Sequence, residues 1–359
     1  MNASDFEKNR IRIPRRTALP LSRSNMPSGY EISLKHYTDN HSVRIPKDLG
    51  PRQSLKGFDP AYRNIIDYIV RITYRIWETD DREVDYIGQC YAPDSVVFDD
   101  YGLQKGSKKI ISDTYHTTAA FPDIVLDAEE VIWAGNDEIG FHTSHLTRII
   151  GTNTGESRYG AAKGTRVHFL VIANCVALEN DIFLEHVLYN TSAMLKQMGV
   201  DPWKEAERLA HDPPPGWPRS EAVWNQLKTS ASPSLPISEQ DPVPGFDQDD
   251  FVFEGTTDRW ISGKEAYTEY IREIREVFPD LKLGVDEVYW IGNASEGWLI
   301  STRWSAEGTH LGDGIYRQPT GRACQIWGIT QWLVKDGLIE KEWQLFNEFD
   351  LMMQIVSVG

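Results

Sequence analysis

The chain repeats itself. Sliding the 359-residue sequence by 157 positions lays 106–197 on 263–354 without a gap, and 23 of those 92 positions are identical, roughly four times what unrelated sequences give. Phe121-Pro122-Asp123 falls on Phe278-Pro279-Asp280, and Glu130-Val131-x-Trp133-x-Gly135-Asn136 on Glu287-Val288-x-Trp290-x-Gly292-Asn293. Gly151-Thr152-x-x-Gly155 falls on Gly308-Thr309-x-x-Gly312, and Glu185, Asn190 and Gln197 on Glu342, Asn347 and Gln354. Only a duplicated domain explains such a register, so the fold must be one that this length accommodates twice.

Each copy reads as helices first and strands after. Asp59-Pro60 is a helix-start pair, and Ile65, Ile66, Ile69, Ile72 and Ile76 recur at helical spacing to about residue 77. A second helix is expected over 82–91, a short strand at Val96-Val97-Phe98 and a third helix from Gly106 to Ala120. Four long strands should follow, over 124–134, 138–150, 165–178 and 181–190, separated by Gly-Asn, Asn-Asp and Glu-Asn turn signals. The class is α+β: two tandem copies, each a curved antiparallel sheet wrapped against helices. The expected domains are a basic arm at 1–57, a first domain at 58–200, a linker at 201–247 and a second domain at 248–359. The linker holds nine of the nineteen prolines, and only Ser220 to Thr229 reads as a helix there, the second copy's counterpart of its first. The first copy's second helix has no clear counterpart in the second copy, which leaves one side of the second sheet open or filled by the linker or the basic arm.

The net charge of −16 argues against nucleic-acid binding, which needs a basic surface. The first 56 residues run the other way, with eleven Lys/Arg against five Asp/Glu. The arginine-rich stretch from Lys8 to Arg16 suits contact with an acidic body, its own or a neighbour's. No long apolar run suggests a membrane span or a secretory leader, so a cytoplasmic location is expected. Cys90, Cys175 and Cys324 form no metal or disulfide pattern.

In the second copy Glu307-Gly308-Thr309-His310-Leu311-Gly312, Pro319-Thr320-Gly321-Arg322, Ile339-Glu340-Lys341-Glu342-Trp343 and Leu351-x-x-Gln354 follow one another. This string resembles the SnoaL-like family of the NTF2-like superfamily, with its GTHxG, PTGR turn and IxExW strand. The first copy keeps a weaker version in Gly151-Thr152-Asn153-Thr154-Gly155, Lys163-Gly164-Thr165-Arg166 and Glu185-His186. The resemblance implies two tandem cones, each with a deep, mainly apolar central pocket, frequent dimerisation through the sheet, and activities such as polyketide aldol cyclisation, isomerisation or epoxide hydrolysis beside non-catalytic binding. It also implies an acid/base aspartate on the last strand and a histidine on the strand before. Those positions are Gln344 and Thr330 in the second copy, Val187 and Ala173 in the first; neither Gln344 nor Val187 can move a proton.

Other ionisable groups on the strands are therefore the catalytic candidates. Glu185 and Glu342 are repeated, and an apolar cone would push a carboxyl toward neutral pKa, where it can act as a base. His145, His168 and His186 sit on three successive strands and could converge, whereas His142 and His145 alternate to opposite faces. Asp99 closes the short strand near the mouth. Substrate-binding candidates are Asn190 and Asn347 at the strand ends, Gln344, and the indoles Trp298, Trp304 and Trp343 in a copy that is strongly tryptophan-rich. An acidic, indole-lined pocket suits a quaternary ammonium or sulfonium group. Phe-Pro-Asp and Gly-Asn read as structural. No metal, nucleotide or other cofactor is expected. The leading reading is a cofactor-independent acid/base enzyme (lyase, isomerase, cyclase or hydrolase) for a small, partly apolar substrate, working as a homodimer. The alternatives are a small-molecule-binding protein or a scaffold with indole-filled cones.

Overall fold

The protein is described by a computed structural model, covering residues 10, 12–14, 16–34, 50–78, 80, 82–230, 245 and 249–357. It divides into two compact units, 1–99 with 103–187, and 100–102 with 188–359.

In the first unit helix α1 (Ile65–Trp77) is followed by a 3-10 turn (Val84–Tyr86), α2 (Ile87–Cys90), strands β1 (Tyr91–Phe98) and β2 (Leu103–Lys105), and helix α3 (Ser107–Ala120). Four long strands complete it: β3 (Val125–Asn136), β4 (Gly140–Thr152), β5 (Arg166–Leu178) and β6 (Asp181–Tyr189). The sheet order is β2-β1-β6-β5-β4-β3. The second unit opens with α4 (Thr191–Gln197), α5 (Pro202–His211) and α6 (Glu221–Thr229), then repeats the plan with β7 (Val252–Gly255), β8 (Arg259–Ser262), α7 (Lys264–Val277), β9 (Lys282–Asn293), β10 (Gly297–Thr309), β11 (Ala323–Lys335), β12 (Leu338–Phe346) and α8 (Glu348–Val356). Its sheet order is β8-β7-β12-β11-β10-β9. This is an α+β tandem, two units of one plan, each a six-stranded sheet with helices. The four long strands are antiparallel as expected, but β1 runs parallel to β6 and β7 to β12, so the sheets are mixed.

The long strands of the two units start and stop 157 residues apart, as do α3 and α7. The register breaks just before them: Val97 pairs with Glu185, whereas Phe253 pairs with Glu342, a separation of 253 − 97 = 156. One residue more between β7 and the following helix than between β1 and its helix explains why the gapless repeat begins only at Gly106. Each helix starts from a glycine in the left-handed region, Gly106 (φ 83°) and Gly263 (φ 87°).

The shared motifs form a clamp. Asp123 accepts from the backbone N (2.5 Å) and hydroxyl (2.7 Å) of Thr152, and Asp280 from the same groups of Thr309, both at 2.7 Å. The hairpin end then presses onto the helix C-terminus, where Gly155 N donates to Ala120 O and Gly312 N to Val277 O, each at 3.1 Å. A Cβ at Gly155 would collide with the Ala119 carbonyl and one at Gly312 with that of Glu276. His310 is buried inside the second clamp, its Nδ1 3.1 Å from Thr320 Oγ1. The GTHxG string is thus a packing motif.

Three helix expectations change. The first helix is capped by Asn64, whose side chain accepts from Asp67 N, and not by Asp59-Pro60. α5 lies in the stretch expected to be linker, with Asp201 at its N-cap and Pro202 at its first position. α6 forms where expected, but it is no counterpart of α1. Its Leu227 carbonyl accepts from Arg303 (3.0 Å) and its Trp224 Nε1 donates to Glu307, and both partners lie on the sheet face opposite Glu342. Residues 231–244 and 246–247 of the linker, and residue 248 at the start of the expected second domain, lie outside the described residues.

The described part of the basic arm lies on its own unit. Arg12 reaches Asp181 (2.5 Å) and donates to the carbonyls of Gly88 (2.6 Å) and Tyr91. Arg10 also reaches Asp181, and Arg16 pairs with Glu179 (2.6 Å). Lys8 lies outside the described residues. Among the described residues no helix is long and apolar enough to cross a membrane.

Candidate functional site

Residues opposed in the ladder share a face, and the faces alternate along each strand. Thr143 opposes Cys175 and His145 opposes Ala173. Cys175 and Glu185 feel each other's charge, so Thr143, His145, Cys175 and Glu185 define one face. Phe141 belongs to it and meets Phe58, whose ring in turn packs on Tyr68 of α1. This is the concave, helix-covered side.

Glu185 is buried there and accepts the Tyr91 hydroxyl at 2.8 Å. Burial pushes its pKa up to about 7, opposed by the Tyr91 hydrogen bond and reinforced by the negative charge of Asp99. Asp99 accepts from Gln104 Nε2 at 3.0 Å. It stands two residues beyond Val97, the partner of Glu185. No ion pair neutralises Glu185 among the described residues. Burial holds the Cys175 thiol well above its usual range, hence neutral, and lowers His145 to about 4, also neutral at physiological pH. His145 Nε2 is buried and has no hydrogen-bond partner among the described residues.

The second unit repeats the carboxyl in a different setting. Glu342 is buried and accepts the Tyr267 hydroxyl of α7 on both oxygens at 3.1 Å and Gln344 Nε2 at 3.2 Å. Burial pushes it too up to about 7, with the Trp332 indole and Tyr267 pulling the other way. Thr330 Oγ1 takes Gln344 Nε2 (3.2 Å) and Trp304 Nε1 (3.0 Å). The Trp304 indole lies against Gly328, where any Cβ would strike it. The two positions the resemblance assigns to proton transfer are therefore joined as an amide–hydroxyl pair in this copy, while Val187 and Ala173 are apolar in the other.

Several candidates do not join these clusters. His186 follows Glu185 in the strand and so points to the opposite face, where Phe98 stacks on it at 5.0 Å. His168, opposite Ile150, shares that other face and is exposed, so the three histidines do not converge. Trp343 is likewise turned away from Glu342, with Lys341 4.4 Å from its ring, and does not fill the second cone. Asn190 spends both ends of its amide on the backbone, Gly255 O (3.1 Å) and Thr257 N (2.8 Å). Asn347 does the same with Gln325 O (3.1 Å) and Trp327 N (2.9 Å) and also donates to Asp350 (2.7 Å). Trp298 and Trp304 share the Glu342 face as alternation predicts. Tyr91, Cys175, Tyr267 and Trp332 were not singled out as site residues in the sequence. Their only signal was parity on strands whose register was unknown, and for the tyrosines there was none.

Among the described residues no group of His, Cys, Asp and Glu is arranged to hold a metal ion. A surface groove of about 880 Å³ in the second unit, lined by Trp217, Arg219, Lys282, Glu307 and Arg322, includes none of the Glu342 cluster.

Residues 223–355 match the family model described as SnoaL-like polyketide cyclase, which bears out the resemblance for the second copy. A search of curated proteins finds no match. Among solved structures, the chain is similar to a candidate SnoaL-like polyketide cyclase from Jannaschia sp. CCS1, at 13% identity over 39% of this chain and 94% of that one, with a TM-score of 0.34. It is similar to AclR, a candidate hydroxylase from Streptomyces galilaeus, at 17% identity over 38% and 98%, TM-score 0.32. A third is IdmH, a candidate polyketide cyclase from Streptomyces antibioticus, at 21% identity over 30% and 81%, TM-score 0.26.

Proposed function

We propose that the chain is a cofactor-independent acid/base enzyme for a small, partly apolar carbonyl compound, with the chemistry in the first cone and Glu185 as the proton-transfer group. The observation that carries this reading is the buried Glu185 carboxyl, with no cation paired to it among the described residues, raised to about 7 and accepting the Tyr91 phenol at 2.8 Å. Such a group is a base near neutral pH and becomes an acid once it has taken a proton. As carboxylate it removes a proton from carbon next to the carbonyl, and the electron pair moves onto the carbonyl oxygen. Returning that proton to another carbon gives isomerisation and to a departing group elimination; cyclisation follows when the enolate carbon attacks a second carbonyl of the same molecule and the proton goes to the alkoxide so formed. Tyr91 keeps the carboxyl oriented, and the unengaged Nε2 of neutral His145 offers a hydrogen bond to the substrate from the same face. The apolar cover matters as much: Leu126 and Ala128, facing α1, are each 5% exposed, so the cone excludes water.

Solvent exchange tests this. In deuterated water a panel of cyclic ketones and β-keto esters should gain deuterium next to the carbonyl in the presence of the protein. Glu185→Gln should slow that exchange by at least about a hundredfold, while Glu342→Gln leaves it intact. Equal exchange by Glu185→Gln would remove Glu185 from the mechanism.

A further inference from the structure

The two cones differ in their cover. Leu126 and Ala128 of β3 are buried against α1, which packs on that strand and whose following residue, Glu78, accepts from Leu126 N at 3.2 Å. Their counterparts Leu283 and Val285 of β9 are 60% and 45% exposed. They oppose Ala306 and Trp304, and so belong to the same face as Glu342. The helix that closes the first cone has no described equivalent on this face, because α6 lies on the other side of the sheet. Trp304, Trp332, Trp298 and Gln344 on this face are accordingly only half-buried.

What lies behind the half-buried indoles is chemically one-sided. Glu342 is surrounded by neutral donors, Tyr267 and Gln344, and by the Tyr270 ring of the same helix; no cation among the described residues pairs with it. Lys341, its neighbour, points to the opposite face toward Glu254 (3.9 Å) and Trp343. An ionised carboxylate in such a place lacks its counter-ion, and burying one without a partner is costly. Indole faces attract cations as well, most strongly where water is thin. Leu283 and Val285 add an apolar ledge beside Trp304.

We propose that the second cone is a binding site for an organic ammonium ion carrying an alkyl or aryl body, with Glu342 as counter-ion, Trp304 and Trp332 as the cation-binding rings, and Leu283 and Val285 under the apolar part. This site is separate from the Glu185 chemistry and stands whether or not the first cone is catalytic.

The test compares a cation with its uncharged twin: choline against 3,3-dimethylbutan-1-ol, and then benzyltrimethylammonium, titrated into the full-length protein by calorimetry and tryptophan fluorescence at a pH of about 8.5, where Glu342 is ionised. Choline should bind at least about tenfold more tightly than the alcohol, and the aryl cation more tightly still. Glu342→Gln should abolish the preference for charge, and Glu185→Gln should leave it unchanged. Equal binding of choline and the alcohol to the wild-type protein overturns the proposal without any variant. So does a charge preference that survives Glu342→Gln or disappears in Glu185→Gln.

Discussion

Replacing Glu185 by glutamine should change how stability depends on pH, by an amount that follows from the geometry. In the unfolded chain the carboxyl titrates at its ordinary 4.5, and in the fold burial raises it to about 7. The folded state therefore binds the proton more tightly. The stability this contributes is fully present below pH 4.5 and is lost as the pH rises through 7, because the fold must then hold an unpaired buried charge. A difference of about 2.5 units is worth about 3.4 kcal/mol at ~1.36 kcal/mol per unit. Between pH ~5 and pH ~8.5 the part expressed is about 2.5 kcal/mol. Glutamine does not titrate, so the stability of Glu185→Gln relative to wild type should rise by about that amount across this window. Urea melts of the two proteins in matched buffers, followed by near-ultraviolet dichroism, measure it, and the other carboxyls cancel in the difference. A difference that stays flat within about 0.5 kcal/mol would mean that Glu185 is hydrated or charge-compensated, and the basis of its assignment would be gone.

Tyr91→Phe removes the donor that holds Glu185 down, so the midpoint of any pH–rate profile should move upward by about one unit, with the fold retained in dichroism spectra. Gly312→Ala forces a methyl group into the Glu276 carbonyl and should cost about 1–3 kcal/mol in chemical melts, whereas Gly284→Ala, which meets nothing within 4 Å, should cost much less. Gly328→Ala should lift the Trp304 indole off the sheet and break its bond to Thr330, read as a shift in tryptophan emission and a loss of the choline response.

The strands were legible because their residues carry the 157-residue repeat and because turn pairs such as Gly135-Asn136 mark their ends. Helix starts were harder. Asp59-Pro60 and Asp201-Pro202 look alike, yet only the second caps a helix, since Asn64 lies closer to the apolar face of α1 and takes the cap instead. At the site, the repeated glutamates were visible as a pair, and burial raises both as an apolar cone should. Their neighbours were not visible. Strict alternation along β6 and β12 already separates Glu185 from His186 and Glu342 from Trp343, so adjacency in the sequence argued for partners that the pleat turns apart. Tyr91 and Tyr267 reach the carboxyls from non-equivalent elements, β1 and α7, and no repeat could have announced them.

The Arg12 guanidinium, gripping Asp181 and the carbonyls of Gly88 and Tyr91, has a practical corollary. Tyr91 is the residue whose phenol holds Glu185, so a segment some eighty positions upstream braces the backbone of the proton-transfer site. Cutting the chain at the edges of its repeat would yield a first copy with the right strands but an unsupported floor. A fragment beginning at residue 58 should therefore keep its secondary structure and misplace its phenol.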